Sequence, residues 1–262
     1  FPASQRGQAL GAGGAFTYLG LMAGPTVGGL LTESFGWRSL FAVSALTGLG
    51  LTLLANRVLE PGAPPIPSMP GDGGGVRGFF ALFRIRAFTM AAISSGLHYM
   101  AVFGARFMLP FYLIQGRGLA PSHAGLVLAA MPLAMAVSAP LAGRWSDRIG
   151  SRGPSSLGMF VIFAMLLSLA GLTDRTPLWG VAALLAAMGV GIGTFVSPNN
   201  SALLGAVPED RRGVASGLVA LCRNVGNAMG VWLTGMIFTM TRGAESAGGV
   251  LPGVRAALIF SA

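Results

Sequence analysis

Few side chains in this sequence are equipped for chemistry, and those few stand apart. The two histidines, His98 and His123, and the single cysteine, Cys222, show no metal-site spacing. One cysteine closes no internal disulfide. The sequence also lacks paired carboxylates and a nucleophile elbow. An enzyme is therefore not expected, and no metal or cofactor is implied. What remains is a small set of polar groups inside apolar runs, where ionisable side chains are costly and usually face a cavity or a partner. Arg106 suits an anionic group or the sensing of a protonation state; a snorkelling or bridging arginine is the plainer alternative. Arg223, Asn224 and Asn227 form a polar patch fit for interdomain packing or, alternatively, for substrate contact. His98 reads either as a proton-linked switch or as a hydrogen-bonded structural histidine. Phe103, Met188 and Phe195, with Met131, Met135 and Phe107, are candidates for a greasy, adaptable pocket, ordinary packing being their default role.

The elements that must position these groups follow from composition. Hydrophobic residues make up 53% and charged residues 10%, with 41 glycines; a soluble domain carries about 25% charged residues. Lipid must cover much of such an exterior. Seven apolar segments reach the length of about 20 residues that a bilayer requires: roughly 9–32, 39–56, 87–115, 123–142, 154–173, 177–199 and 214–238, with an eighth starting near Arg255. The fold class is thus all-α, a polytopic transmembrane helix bundle. None of the seven has a carboxylate in its middle, and Glu33 sits at a segment end. Residues 57–86 are first Pro/Gly-rich and then amphipathic, a linker followed by either a short interfacial helix over Phe79–Arg86 or plain loop.

The net charge is +9, and all the basic residues are arginine, in short loops between apolar runs. Membrane topology explains them better than nucleic acid does. With the start of the chain on the cytoplasmic side, Arg6, Arg57, Arg77, Arg84, Arg86, Arg144, Arg148, Arg152, Arg211 and Arg212 fall inside, while Arg38, Arg117, Arg175, Arg242 and Arg255 fall outside.

The opening of the chain recurs near its end. Pro2, Arg6, Gly7, Ala9, Gly11, Gly20, Gly24 and Gly29 correspond to Pro208, Arg212, Gly213, Ala215, Gly217, Gly226, Gly230 and Gly235. The two helices are six spans apart and enter from the same side, the layout of two transporter halves related by an axis along the membrane normal. The first helix carries Gly20, Gly24, Pro25, Gly28 and Gly29 in the pattern G-x-x-x-G-P-x-x-G-G. Gly143, Asp147, Arg148, Gly150 and Arg152 follow G-x-x-x-D-R-x-G-R, with Ser151 departing from the usual basic residue. Together these resemble the major facilitator superfamily, the first motif being similar to the antiporter motif in the fifth helix of its drug/proton antiporters.

That resemblance implies a fragment running from helix five to the start of helix twelve: 1–56 as the last two helices of the N-terminal half, 57–86 as a cytoplasmic linker, and 87–262 as a truncated C-terminal half. The polar linker fits twelve spans, whereas SPNNSALLGAVPEDRRGVASG is similar to the fourteen-span subgroup. It further implies export of small amphipathic molecules or drugs by proton antiport and alternating access, in a bacterial plasma membrane, by a monomer whose partners are lipid, substrate and protons and not nucleic acid. Another facilitator-type porter for a metabolite or sugar, or a non-transporting remnant, is the alternative. In the family the glycine-rich helix slides against one from the other half. By the repeat, Asp147 is expected to approach the helix start at Gly7–Gly11, where free N–H groups favour a carboxylate; pairing with Arg148 or Arg152 is the alternative. Cysteines introduced at Ser68 and Ser151 are expected to react with impermeant reagents only from the cytoplasmic face, and labelling of either from outside in intact cells rejects this topology.

Overall fold

The computed structural model describes residues 6–58, 82–208, 211–244 and 251–262, with the side chains of 6–16, 18 and 242–244 outside that description. Among the described residues there are eight α-helices and no strand. They are α1 (Arg6–Phe35), α2 (Arg38–Val58), α3 (Arg86–Pro110), α4 (Pro121–Ile149), α5 (Arg152–Ala170), α6 (Leu178–Gly205), α7 (Arg212–Ala244) and α8 (Leu251–Ser261). A π-helical turn, Phe111–Gly116, continues α3 beyond Pro110. Five of the described helices, α2 to α6, are long and apolar enough to cross a membrane; α1 and α7 have 30 and 33 residues.

The helices match the apolar segments, with two corrections. The first concerns the sequence motif around Asp147. Gly143 to Ile149 form the last two turns of α4 rather than a loop, because nothing breaks the helix before Gly150. Only Gly150, at φ 85°, makes the reversal into α5, a conformation that an L side chain resists. The second concerns the linker. Residues 59–81 lie outside the described residues, but Leu82–Ile85 form a single turn leading into α3, closed by the Ile85 N–H donating to Leu82 O at 3.1 Å. Leu82 is fully buried against Phe88, Leu203, Val207, Ala215 and Leu218, so protein rather than the lipid interface holds this turn.

Helix pairs meet where small residues recur at i and i+4. This spacing lets backbones touch when apolar burial gives no preference for protein over lipid. α7 lies on α3 through Gly226 and Gly230: a Cβ on Gly230 would stand 2.9 Å from the Met100 carbonyl carbon and 3.1 Å from Gly104 N. α6 lies on α4 through Gly189 and Gly193, where a Cβ on Gly193 would stand 2.9 Å from Ala139 N. The main core, with Met108, Tyr112, Leu166, Leu185 and Met188, fills the space among α3, α4, α5 and α6, and Val254 and Leu258 of α8 close it. α2 differs. It meets only α1 appreciably and has no buried residue.

Replacing Gly230 by Leu is expected to overpack the α3–α7 contact by about 1–3 kcal/mol. Gly217→Ala, on the same helix with nothing within 4 Å, is expected to be neutral or stabilising. Thermal unfolding of the full-length protein in detergent checks this, with a lower Tm for Gly230→Leu alone.

Candidate transport site

The glycine motif of α1 divides between two faces. Gly29 faces α4, where a Cβ would stand 2.9 Å from the Pro121 carbonyl carbon and 3.0 Å from Ser122 Cα. The contact is reciprocal: a Cβ on Gly125 of α4 would stand 2.8 Å from the Pro25 carbonyl carbon and 3.2 Å from Thr26 Cα. Pro25-x-x-x-Gly29 and Pro121-x-x-x-Gly125 thus cross antiparallel, each proline carbonyl seated against the other helix's glycine. Pro25 leaves the chain free to bend there. Gly20, Gly24 and Gly28 point elsewhere. They line a groove between α1 and α2 with Val43, Thr47 and Gly48, and a Cβ on Gly20 or Gly24 would meet nothing within 4 Å. Of the motif's glycines, Gly29 makes the close contact with α4, and Gly20, Gly24 and Gly28 line the groove toward α2.

At this end of the seam the Ser122 backbone N–H donates to Glu33 Oε2 at 3.3 Å. Ser122 is the second residue of α4, so the carboxylate lies at a helix N-terminus, where free N–H groups and the helix dipole favour it. The Ser122 side chain, as a hydrogen-bond donor, is the largest influence holding the Glu33 carboxyl below the usual carboxylate range; desolvation, the next largest, opposes it, and the backbone N–H and the His123 charge add smaller lowering effects. Glu33 is exposed to solvent, so screening keeps its contribution to seam stability small.

At the far end of α4, Gly143 comes near Ser197 of α6: a Cβ there would stand 3.2 Å from its Oγ. Asp147, Arg148 and Arg152 are exposed, and Asp147 has no hydrogen bond or ion pair among the described residues. The alternative pairing of Asp147 with Arg148 or Arg152 is accordingly not seen. Its expected partners, the backbone N–H groups at Gly7–Gly11, belong to the stretch of α1 whose side chains lie outside the description.

The polar residues of α3 gather along one stripe. Asn199 of α6 donates from Nδ2 to Ser95 Oγ at 2.7 Å and to Ala91 O at 3.3 Å, and its Oδ1 accepts from Ser94 Oγ at 3.3 Å. One turn further, His98 is buried between Tyr99, with ring centroids 5.0 Å apart, and Phe195 of α6, at 4.6 Å. Neither His98 ring nitrogen has a hydrogen-bond partner among the described residues. Arg223 of α7 is a hydrogen-bond partner of Tyr99, which ties it to this stripe. Asn224 is exposed, while the Asn227 Oδ1 is buried without a partner among the described residues. Arg106 lies over the Phe103 ring at 5.2 Å, with no ion-pair partner among the described residues. Met188 is fully buried in the core with Met131 and Met135, so packing is its role in this conformation.

Three features escaped the sequence reading. The proline–glycine pair in α4 repeats that of α1, and the repeated P-x-x-x-G was the available signal. Asn199 was legible only as a polar residue beside Pro198. The arginines Arg117 and Arg255, read as topological charges, also bind backbone. Arg117 Nη1 donates to Thr176 O at 2.6 Å and to the Tyr112 hydroxyl at 3.1 Å, and that hydroxyl donates to Thr173 O at 2.9 Å. Arg255 donates from Nε and Nη2 to Leu172 O at 3.0 and 2.9 Å. Both arginines thus satisfy carbonyls of the loop that follows α5, Leu172 O and Thr176 O.

Long apolar helices joined at small residues, with an ionisable stripe facing protein, define a multispan membrane protein. Comparison with known proteins narrows the class. A profile described as Major Facilitator Superfamily matches residues 1–231, and the chain belongs to that family. It is 30% identical to the riboflavin transporter RibZ of Clostridioides difficile, over 88% of this chain and 60% of that protein. It is 27% identical to the multidrug resistance protein Stp of Mycobacterium tuberculosis, over 90% of this chain and 53% of that protein. The chain therefore spans little more than half the length of these relatives. Among solved structures, the fold is shared with a bacterial homologue of the human lysosomal transporter Spinster in an inward-facing, unoccupied conformation, at a TM-score of 0.72 and 16% identity, covering 100% of this chain and 67% of that one.

A carboxylate held low favours the Glu33–Ser122 contact above the ordinary carboxylate range, and that contribution is lost as pH falls through the lowered value. Ser122→Ala is expected to move the Glu33 titration midpoint upward, toward the usual range. Carbon-13 NMR of glutamate-labelled protein, with Glu33→Gln for assignment, measures it.

Proposed function

We propose that the full-length protein exports small amphipathic molecules across a bacterial plasma membrane by proton antiport. Two half-bundles, parted by the linker at 57–86, rock about the seam between α1 and α4. The observation that supports this best is the reciprocal Pro25–Gly125 and Pro121–Gly29 contact. It is a backbone-on-backbone joint between α1 and α4, on the two sides of the linker. Bare carbonyls against glycines give a surface with no side chains to unlock, so the helices can separate and return at little cost. In this reading the Glu33 end faces outside and is shut, the conformation in which a central site opens to the cytoplasm. Tyr99, Phe103 and Arg106, all partly exposed, face that site in this reading, and Arg106, without a carboxylate partner among the described residues, suits an anionic or electron-rich part of the cargo. The protein acts as a monomer, with lipid, substrate and protons as its partners.

The name of the relative Stp favours a drug as cargo. That of RibZ favours a second reading, in which the cargo is a flat heteroaromatic metabolite. The two differ in cargo, and not in mechanism.

The test is transport by full-length protein in proteoliposomes under an imposed proton gradient, with ethidium and riboflavin as probes. Gradient-driven ethidium movement supports a drug exporter; riboflavin movement alone supports the second reading; movement of neither, or movement that ignores the gradient, rejects proton-coupled export of these classes. Gly29→Leu overpacks the closed seam by about 1–3 kcal/mol, enough to shift a two-state balance about 5- to 150-fold. It is expected to insert normally and to lose most transport. Gly24→Ala is expected to retain it, and equal transport by both variants makes the seam mere packing.

A further inference from the structure

The seam between α1 and α4 does not involve the most deeply buried ionisable side chain of α3. His98 is 1% exposed, and neither Nδ1 nor Nε2 has a hydrogen-bond partner among the described residues. A neutral imidazole carries one N–H donor and one acceptor lone pair, and a protonated one carries two donors. The site as built leaves the neutral ring unsatisfied and offers the protonated ring nothing to donate to, in surroundings where an unpaired charge is far more costly than an unpaired polar group. A position so poor for both forms is explained if the histidine acts in a second arrangement.

From these orphaned nitrogens we infer that His98 is the proton-binding site of this part of the protein, taking up its proton when α6 moves off α3 and losing it when Phe195 packs back over the ring. The inference rests on the proton-coupled reading of function, which it deepens.

The surroundings supply what such a site needs. One turn away, Asn199 Oδ1 and Ser95 Oγ are acceptors, now engaged with Ser94 and with the Asn199 amide. Movement of α6 off α3 would break these bonds and free Ser95 Oγ, on the same helix as His98, to accept from an imidazolium. The other ionisable groups near His98 favour the same assignment. On α3 they are Tyr99 and Arg106; α6 contributes none, only Phe195 and Asn199 facing the ring region; on α7 they are Cys222 and Arg223, the latter bonded to Tyr99. Arginine stays charged at every physiological pH. Among the described residues no span interior holds a carboxylate. His98 is thus the one side chain in the interior of the described spans whose ordinary titration falls between pH 5 and 8. A proton that binds the separated arrangement better than the packed one must shift the balance toward separation, whichever event comes first.

The test uses full-length protein in nanodiscs, with nitrogen-15 histidine labelling and spin labels at Met90 and Ser201, exposed positions near the Arg86 end of α3 and the Gly205 end of α6. His98→Gln assigns the resonance and keeps a hydrogen-bonding group that cannot titrate. The expected result is protonation of His98 between pH 5 and 8, a change in the Met90–Ser201 distance with the same midpoint, and loss of that change in His98→Gln. A ring that stays neutral from pH 4 to 9 overturns the inference, as does a distance change that persists in the variant. Should His98→Gln fail to fold, the two midpoints in the parent protein decide: coincidence supports the site and separation overturns it. Proton-driven transport with a silent His98 sinks this inference alone. A titrating, coupled His98 in a protein that moves no probe against a proton gradient sinks the antiport reading instead.

Discussion

Backbone-to-backbone contact between helices at glycine is the constraint on which this architecture depends. Lipid chains are as apolar as leucine, so burial by itself gives two helices little reason to prefer each other to the bilayer. Close approach restores that preference through packing and through the peptide dipoles it brings together. Its joints include Gly226 and Gly230 on α3, Gly189 and Gly193 on α4, and the reciprocal proline–glycine crossing of α1 and α4. The first two lie inside a core closed by large side chains such as Tyr112, Leu185 and Met188. The third has no such core around it, and Glu33 at its end is open to solvent. The difference separates a joint that holds a bundle together from one suited to opening.

The ends of the helices are held by a different device. Beyond the end of α5, the carbonyls of the loop 171–177 must find donors in a place that lipid headgroups only partly wet. Arg117 and Arg255 provide them from two other elements, so the loop 171–177 is bound to the π-helical turn and to α8. Arginine can do this with several parallel N–H donors where lysine would offer a point charge. The absence of lysine from the chain is thus compatible with arginines that are structural as well as topological.

Much of the fold was legible because a bilayer writes a strong signal: a run of about 20 apolar residues between arginines. The helix boundaries at Arg86, Arg152 and Arg212 follow it closely. The Asp147 motif did not, because hydropathy reports where the membrane ends and says nothing of where a helix ends, and α4 runs on to Gly150. The site was less legible than the fold. Glycine spacing marked α1 as a contact helix, but choosing Gly29 over Gly24 requires knowing which face meets α4, and two glycines five residues apart in a helix look in different directions. His98 was visible as a buried titratable group, yet whether its nitrogens are satisfied depends on Asn199, about a hundred positions away, which bonds Ser95 and leaves the histidine alone.

The claim that binds these observations is that the α1–α4 seam must open for the protein to work. Cysteines replacing Glu33 and Ser122 in the full-length protein, joined by a short reducible bis-methanethiosulfonate linker, would hold the two helices where the structure shows them. The account predicts that linked protein in proteoliposomes moves no probe across the membrane and that reduction restores movement. Unimpeded movement with the link intact would contradict it.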